Sequence, residues 1–335
     1  MNYFNIPKVS ASYLKFLEKN NPLTIEQWMN KDTGNKSTSF GSLVDCLYTE
    51  PETFEDKYII KDDIPNGDAA EIVREVFIKF FEYHGIVDLS YYEDIIREIC
   101  IKEQFYKSKA STTGVKKVLE QAEYFKFLIE ADGKEIISSA TYELAKKYCN
   151  NISRDLPLLN AVLMNPKYTN SQMVIESEIE GILVKAKLDF VISVDEEIEV
   201  ENGIIFYPDV IYNIDLKTTS SQLWNASYEI KKWGYDKSMS FYSYLLSNEG
   251  RNIVHNYLVF VNEHGASTIR LSEELLWNAA HGIERDNFIG TWQIPTNLTH
   301  KSLGWMNLLE HYKYYLENGF NKHVNLINGI PNLIE

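Results

Sequence analysis

The spacing of apolar residues changes near residue 170, and that change limits what the chain can fold into. Upstream, apolar side chains recur at the three- and four-residue intervals of helices buried along one face. Ser10 is placed to cap a helix carrying Tyr13, Leu14 and Leu17, and Thr24 with Gln27 forms a capping-box pattern for a short second helix. A third helix is expected from Ser39 to Glu50, because Pro51 disfavours helical geometry in the residue before it. On that helix Phe40, Leu43, Val44 and Leu47 have core spacing, while Gly41, Asp45 and Tyr48 fall on a different face. Residues 68–165 read as mostly helical, with a loop at Lys107–Gly114, a turn at Asp132-Gly133 and a break near Pro157 in the helix Ser138–Leu163.

Downstream the period becomes two. Met173–Val194 alternates around Glu180-Gly181, which predicts a hairpin of strands Gln172–Ile179 and Ile182–Val194. Asp195–Glu201, acidic at five of seven positions, reads as an exposed loop or strand edge. Further strands are expected at Ile204–Tyr207 and Val210–Leu216, and the period turns helical over Tyr228–Leu246. Ile253–Val261 then pairs with Ser267–Leu271, and helices follow at Ser272–Glu284 and Ser302–Glu317. Helices followed by a sheet with helices around it indicate an α/β or α+β fold.

At 335 residues the chain has room for two domains of about 150 residues or one domain with large insertions. No apolar run approaches the ~18 residues that suggest a membrane span, and MNYFNIPKVSASYLKF lacks the basic-then-apolar order of a secretory leader. Cys46, Cys100 and Cys149 are scattered, which predicts a reduced, cytoplasmic chain without structural zinc or an iron–sulfur cluster. A formal net charge of −15 argues against a protein that coats nucleic acid through a basic surface. Two stretches are locally positive, Lys102–Lys126 and Lys217–Lys237; they read either as solvated helix faces or as the lining of a local DNA channel that includes Lys231, Lys232 and Lys237. No Gly-rich phosphate loop, H-x-x-x-H pair or triad-like arrangement is present.

The chemistry concentrates in the strands. Asp215-Leu216-Lys217 ends the apolar run Val210–Ile214, and alternation puts Asp215 and Lys217 on one face. A carboxylate beside an ammonium suits phosphodiester hydrolysis, the one holding a hard divalent cation and the other facing water or phosphate. An exposed cross-strand ion pair would look the same. Asp189 adds weight, because it lies in Ala186–Ile192, a strand otherwise suited to burial, where a charge must be paired or metal-bound. If the two strands are neighbours, Asp189 and Asp215 converge on one ion; a salt bridge from Asp189 to a lysine is the alternative.

Gly41–Glu52 with Phe54 and Tyr58, then Lys107–Gly114, Gly133–Ile137, Gly181–Asp189, Asp215–Thr219 and Gly234–Tyr242, resemble in order the RecE-type exonuclease VIII proteins of phages and prophages. These belong to the PD-(D/E)XK nuclease superfamily. The resemblance covers about residues 5–250 and implies an α/β fold with a restriction-endonuclease-like core, a central mixed sheet flanked by helices and a helical N-terminal half. Residues 1–165 would lend one helix to the active site and 166–335 would form the core sheet, within one integrated nuclease domain. The implied activity is magnesium- or manganese-dependent exonuclease digestion of duplex DNA ends by a ring-shaped homo-oligomer, in phage recombination or repair, with a single-strand annealing protein as partner. Carried over by position, Asp189 and Asp215 are metal carboxylates, Lys217 is the catalytic lysine and the Leu216 carbonyl is an extra ligand. Two positions depart from the family: Asp45 stands where the family has a metal-binding His, and Ser238 with Tyr242 stand where Gln and Tyr are usual. Asp45 therefore reads as a metal ligand or a surface residue, and Tyr242 as a DNA contact or a core aromatic. Glu176, Glu178 and Glu180 are expected to face solvent. A non-catalytic DNA-binding or assembly protein, an acidic interaction protein and an endonuclease are the other readings.

Overall fold

The computed structural model describes residues 7–20, 23–29, 36–81, 85–247, 252–284, 288–289, 292–293, 301–320, 324–327 and 330–333. Residues 1–6, where the leader reading began, lie outside them. The chain divides into two compact units, residues 46–146 and the remainder, so the expected boundary at 165 falls inside the second of these.

The first helices follow their caps. Ser10 accepts a hydrogen bond from the Tyr13 N–H and opens α1 (Ala11–Lys19), while Thr24 and Gln27 cap each other's backbone N–H groups at α2 (Ile25–Met29). Helix α3 (Lys36–Thr49) ends before Pro51.

Residues 46–146 form a helical unit of their own. It contains α4 (Phe54–Lys57), α5 (Asp68–Val76), α6 (Glu93–Lys102), α7 (Val115–Leu119) and α8 (Ala122–Ala131). Ile72, Val73, Val76, Tyr92, Ile96 and Phe125 make up much of its core. A two-stranded parallel sheet joins β1 (Tyr58–Ile60) to β2 (Glu135–Ile137), which the sequence pattern does not announce. Lys107–Gly114, expected as a loop, is instead a 3₁₀ turn followed by a π turn, because the backbone N–H groups there find partners within the chain itself.

Helix α9 (Ser139–Asp155) leads back into the larger unit, and α10 (Pro157–Leu163) follows the expected break. Then come β3 (Thr169–Ile179), β4 (Ile182–Ser193), β5 (Ile198–Glu199), β6 (Ile205–Phe206) and β7 (Val210–Thr218). Glu180 and Gly181 both have positive φ, as a tight hairpin turn between β3 and β4 requires. The acidic stretch 195–201 contains β5, which pairs with β6. Beyond β7 lie α11 (Ala226–Trp233) and α12 (Tyr235–Ser247), where one helix was expected. Gly234 separates them at φ +63°, a left-handed conformation that glycine enters without a Cβ penalty. Strands β8 (Ile253–Val261) and β9 (Ala266–Arg270) and helices α13 (Glu273–His281) and α14 (Trp305–Asn318) complete the main elements.

The main sheet has the order β3-β4-β7-β8-β9; β7 and β8 are parallel and the other pairs antiparallel. It is a mixed central sheet flanked by helices. The β7–β8 crossover runs through α11 and α12, as a parallel connection requires. Strand β7 is buried from Tyr212 to Leu216, as expected of a strand covered on both faces. Tyr13, Leu14, Val184, Leu188, Phe241, Trp305 and Leu308 share one core cluster, and Ala226, Ile230, Met239, Leu258 and Phe260 another. Among the described residues no helix is long and apolar enough to cross a membrane.

Strand β4 changes partners along its length. Its C-terminal part pairs with β7 as far as Phe190↔Ile214. Its N-terminal part instead meets Val9, whose N–H donates to the Leu183 carbonyl at 3.0 Å and whose carbonyl accepts from the Lys185 N–H at 2.7 Å. The sheet therefore parts next to Asp189.

Candidate active site

Where β4 and β7 separate, the next position in their register would set Asp189 opposite Asp215. The Asp189 carboxylate accepts from the Leu216 N–H at 2.8 Å, closing the backbone bond that the ladder no longer supplies. Asp215 is buried and ion-paired with the Lys217 ammonium, two residues on along the same strand. On the other side of β4, pairing lapses between Ser171↔Phe190 and Met173↔Leu188, so Gln172 faces Asp189. Gln172 has φ +52°, a conformation that costs an L-residue about 1 kcal/mol or more. Its side-chain amide donates to both oxygens of Asp45, at 3.1 and 3.2 Å.

Helix α3 brings Asp45 to this place by close approach. A Cβ on Gly41 would lie 3.2 Å from the Thr218 hydroxyl at the end of β7, and Asp45 follows one turn later. Asp45, Asp189, Asp215 and Lys217 thus form one electrostatic group.

Asp189 keeps a little solvent-facing surface but is packed deeply among protein atoms. Removal from water, then the nearby Asp215 and Asp45 carboxylates, push its carboxyl well above the usual carboxylate range; Lys217 and the Leu216 N–H oppose this only in part. For Lys217, burial disfavours the ammonium, but Asp215 and Asp189 outweigh it and raise its proton affinity. Lys217 also lies 5.4 Å from the centre of the Tyr235 ring. Burial is the first cause raising the Tyr235 hydroxyl, with Lys217 acting against it.

Among the described residues no three His, Cys, Asp or Glu side chains are grouped to hold a metal ion by themselves. Three carboxylates against one ammonium nevertheless leave a local excess of negative charge, and oxygen donors of this kind suit a hard cation.

No protein-family model matches the chain, and no curated protein matches it. Among solved structures it is similar to a presumed exonuclease from Eubacterium rectale, with 14% identity over 83% of this chain and 79% of that one and a TM-score of 0.43. It is also similar to SSO0001, with 15% identity over 62% of this chain and 80% of that one and a TM-score of 0.23.

The remaining sequence candidates lie on α11 and α12. Lys231 is exposed and bonds to the buried Asp236 at 2.6 Å. Lys232 is exposed as well, 3.8 Å from the buried Glu229. Lys237 does not face solvent: it is buried and ion-paired with Glu18, which removes it from any surface channel. Tyr242 is half-buried, packs against both core clusters and acts electrostatically on Lys217. Ser238 is buried. Glu178 and Glu180 are exposed, as is Glu176, which pairs with Lys8. Gln172 and Tyr235 went unread as site residues. For Gln172 a signal existed, since counting back along the strands from Glu180-Gly181 puts it opposite Asp189.

Proposed function

We propose that the chain is a metal-dependent DNA exonuclease of the PD-(D/E)XK type, akin to RecE-type exonuclease VIII, that hydrolyses phosphodiester bonds at duplex ends. The observation that supports this most is the gathering of Asp189, Asp215 and Lys217 beside Asp45 at the end of β7. Sites in open α/β sheets form at the carboxyl ends of strands, and Asp215 and Lys217 stand near the carboxyl end of β7.

Magnesium or manganese fits the donors. Asp189 and Asp215 offer carboxylate oxygens, Leu216 a backbone oxygen, and Asp45 a further carboxylate. Magnesium usually takes one or two protein carboxylates and keeps water in the rest of its shell, so a cage of three acidic side chains is not required. The crowding that raises the Asp189 carboxyl is what a cation would relieve. When bound, the ion would supply Lewis-acid polarisation of the scissile phosphate.

The chain's own groups do the rest. Lys217, anchored by Asp215, orients the attacking water and offsets charge building on the phosphate oxygens. The Leu216 N–H fixes the Asp189 carboxylate before substrate arrives, and the Gln172 amide does the same for Asp45. On this reading Lys231, Lys232 and Tyr242 contact DNA, and the working form is a homo-oligomer in the host cytoplasm with a single-strand annealing partner.

The test is end-labelled linear duplex DNA with magnesium or manganese. Shortening that EDTA stops, with covalently closed circles left intact, is expected. Cleaved circles would make the protein an endonuclease, and intact linear DNA under all these conditions would favour a non-catalytic DNA-binding protein.

A further inference from the structure

Three of the large exposed aromatic side chains fall within ten residues of one another. Trp224 is 82% exposed, Tyr228 60% and Trp233 52%. Trp224 and Tyr228 are four residues apart on a 3₁₀ turn that runs into α11, so they share a side. The Lys232 ammonium lies 5.8 Å from the centre of the Tyr228 ring and 4.8 Å from that of Trp233, bridging the two. Trp233 is held in place because its indole N–H donates to Glu229 at 2.6 Å.

The charges here are sorted by depth. Glu229 and Asp236 are buried, whereas Lys231 and Lys232 are exposed. The outer face therefore offers ammonium groups and aromatic rings, on a chain whose net charge is −15. A ligand that matches it carries negative charge at regular intervals and flat, stackable groups between them. Single-stranded DNA has this character: its phosphates meet lysines and its unpaired bases stack on the rings, which duplex DNA cannot do because its bases already stack on each other.

Position agrees with this. Trp224 is seven residues beyond Lys217, a reach of no more than about 25 Å. At the far end, Trp233 is two residues from Tyr235, whose ring lies beside the Lys217 ammonium. We infer that Trp224, Tyr228 and Trp233, with Lys231 and Lys232, form a stacking platform for single-stranded DNA next to the candidate active site. As a device for holding the strand that leaves a duplex end, it rests on the nuclease reading; as a binding surface it does not.

The experiment is fluorescence anisotropy of a short labelled oligothymidylate, titrated with the full chain in EDTA so that no hydrolysis intervenes. Trp224→Ala and Tyr228→Ala, both exposed, are each expected to weaken binding by about fivefold or more without changing the melting temperature, and Trp224→Phe to retain it. Wild-type protein that does not bind the oligomer, or a Trp224→Ala/Tyr228→Ala variant that binds it equally well, would overturn the inference. So would a variant that changes only the oligomeric state, which would mark the face as a contact between copies. Hydrolysis of linear duplex is measured in parallel. Binding that depends on the rings in a chain that never cleaves DNA would sink the nuclease reading and leave the platform standing.

Discussion

The Asp189 carboxylate accepts the Leu216 N–H at 2.8 Å, and through that bond β4 and β7 stay joined just past the last pair of their ladder. The same bond holds Asp189 beside Asp215, an arrangement that two like charges would otherwise resist.

Asp189→Asn keeps an oxygen to accept from Leu216 and removes one of the crowded charges. In EDTA near neutral pH the variant is expected to be more stable than wild type. Because the folded-state carboxyl is raised, the penalty in wild type exists when Asp189 is ionised and disappears as acidification protonates it. The gain should therefore shrink as pH falls towards the ordinary carboxylate range. Urea unfolding at several pH values measures this, and a variant less stable than wild type at neutral pH would contradict the crowding.

Gln172→Glu replaces a donor to Asp45 by a fourth acid, with oxygens that would stand near 3.1 Å from those of Asp45. We expect the melting temperature in EDTA to fall, by the equivalent of about 1–3 kcal/mol for a lost charge-assisted bond plus like-charge repulsion. Magnesium should restore part of the loss. Indifference to magnesium would separate Asp45 from any cation site.

His311 on α14 gives a pH dependence independent of the candidate site. It is buried, its Nε2 has no hydrogen-bond partner among the described residues, and burial pushes its pKa down to about 4. A histidine whose folded pKa lies below its unfolded value takes up its proton more readily in the unfolded chain. Stability is thus lost as pH falls from about 6.5 towards 4, by at most about 3 kcal/mol. His311→Gln should lessen the drop in melting temperature between pH 7 and pH 4, an interval set by those values; equal drops in the two proteins would count against it.

Much of the fold was legible because local signals agreed with tertiary ones. Ser10, the Glu180-Gly181 turn and the apolar run of β7 each name their element without help from distant residues. The break at Gly234 was hidden, since the helical period continues through it and only the left-handed φ reveals the corner. Strands β1 and β2 are three residues each and pair across a long stretch of chain, beyond the reach of any local pattern. The unit 46–146 was not foreseen either: its limits fall inside α3 and α9, where composition does not change.

At the candidate site, alternation on β7 put Asp215 and Lys217 on one face, and the structure joins them in an ion pair. Gln172 and Tyr235 could not be reached that way, because one depends on register and the other on a helix turning at Gly234. Lys237 on α12 misled for a related reason. Spacing does not tell that Glu18 draws Lys237 into the protein while Glu229 and Asp236 sink beneath Lys232 and Lys231.

The most direct measurement is the rate of phosphodiester hydrolysis on linear duplex DNA by wild type and Asp215→Asn at saturating magnesium, with melting temperatures recorded in EDTA. Asp215→Asn is nearly isosteric and Lys217 can still donate to its amide oxygen, so the fold should persist. The predicted result is a loss of a hundredfold or more, about 3 kcal/mol of transition-state stabilisation, at a similar melting temperature. Hydrolysis by the variant at the wild-type rate would contradict the assignment of this cluster as the hydrolytic centre.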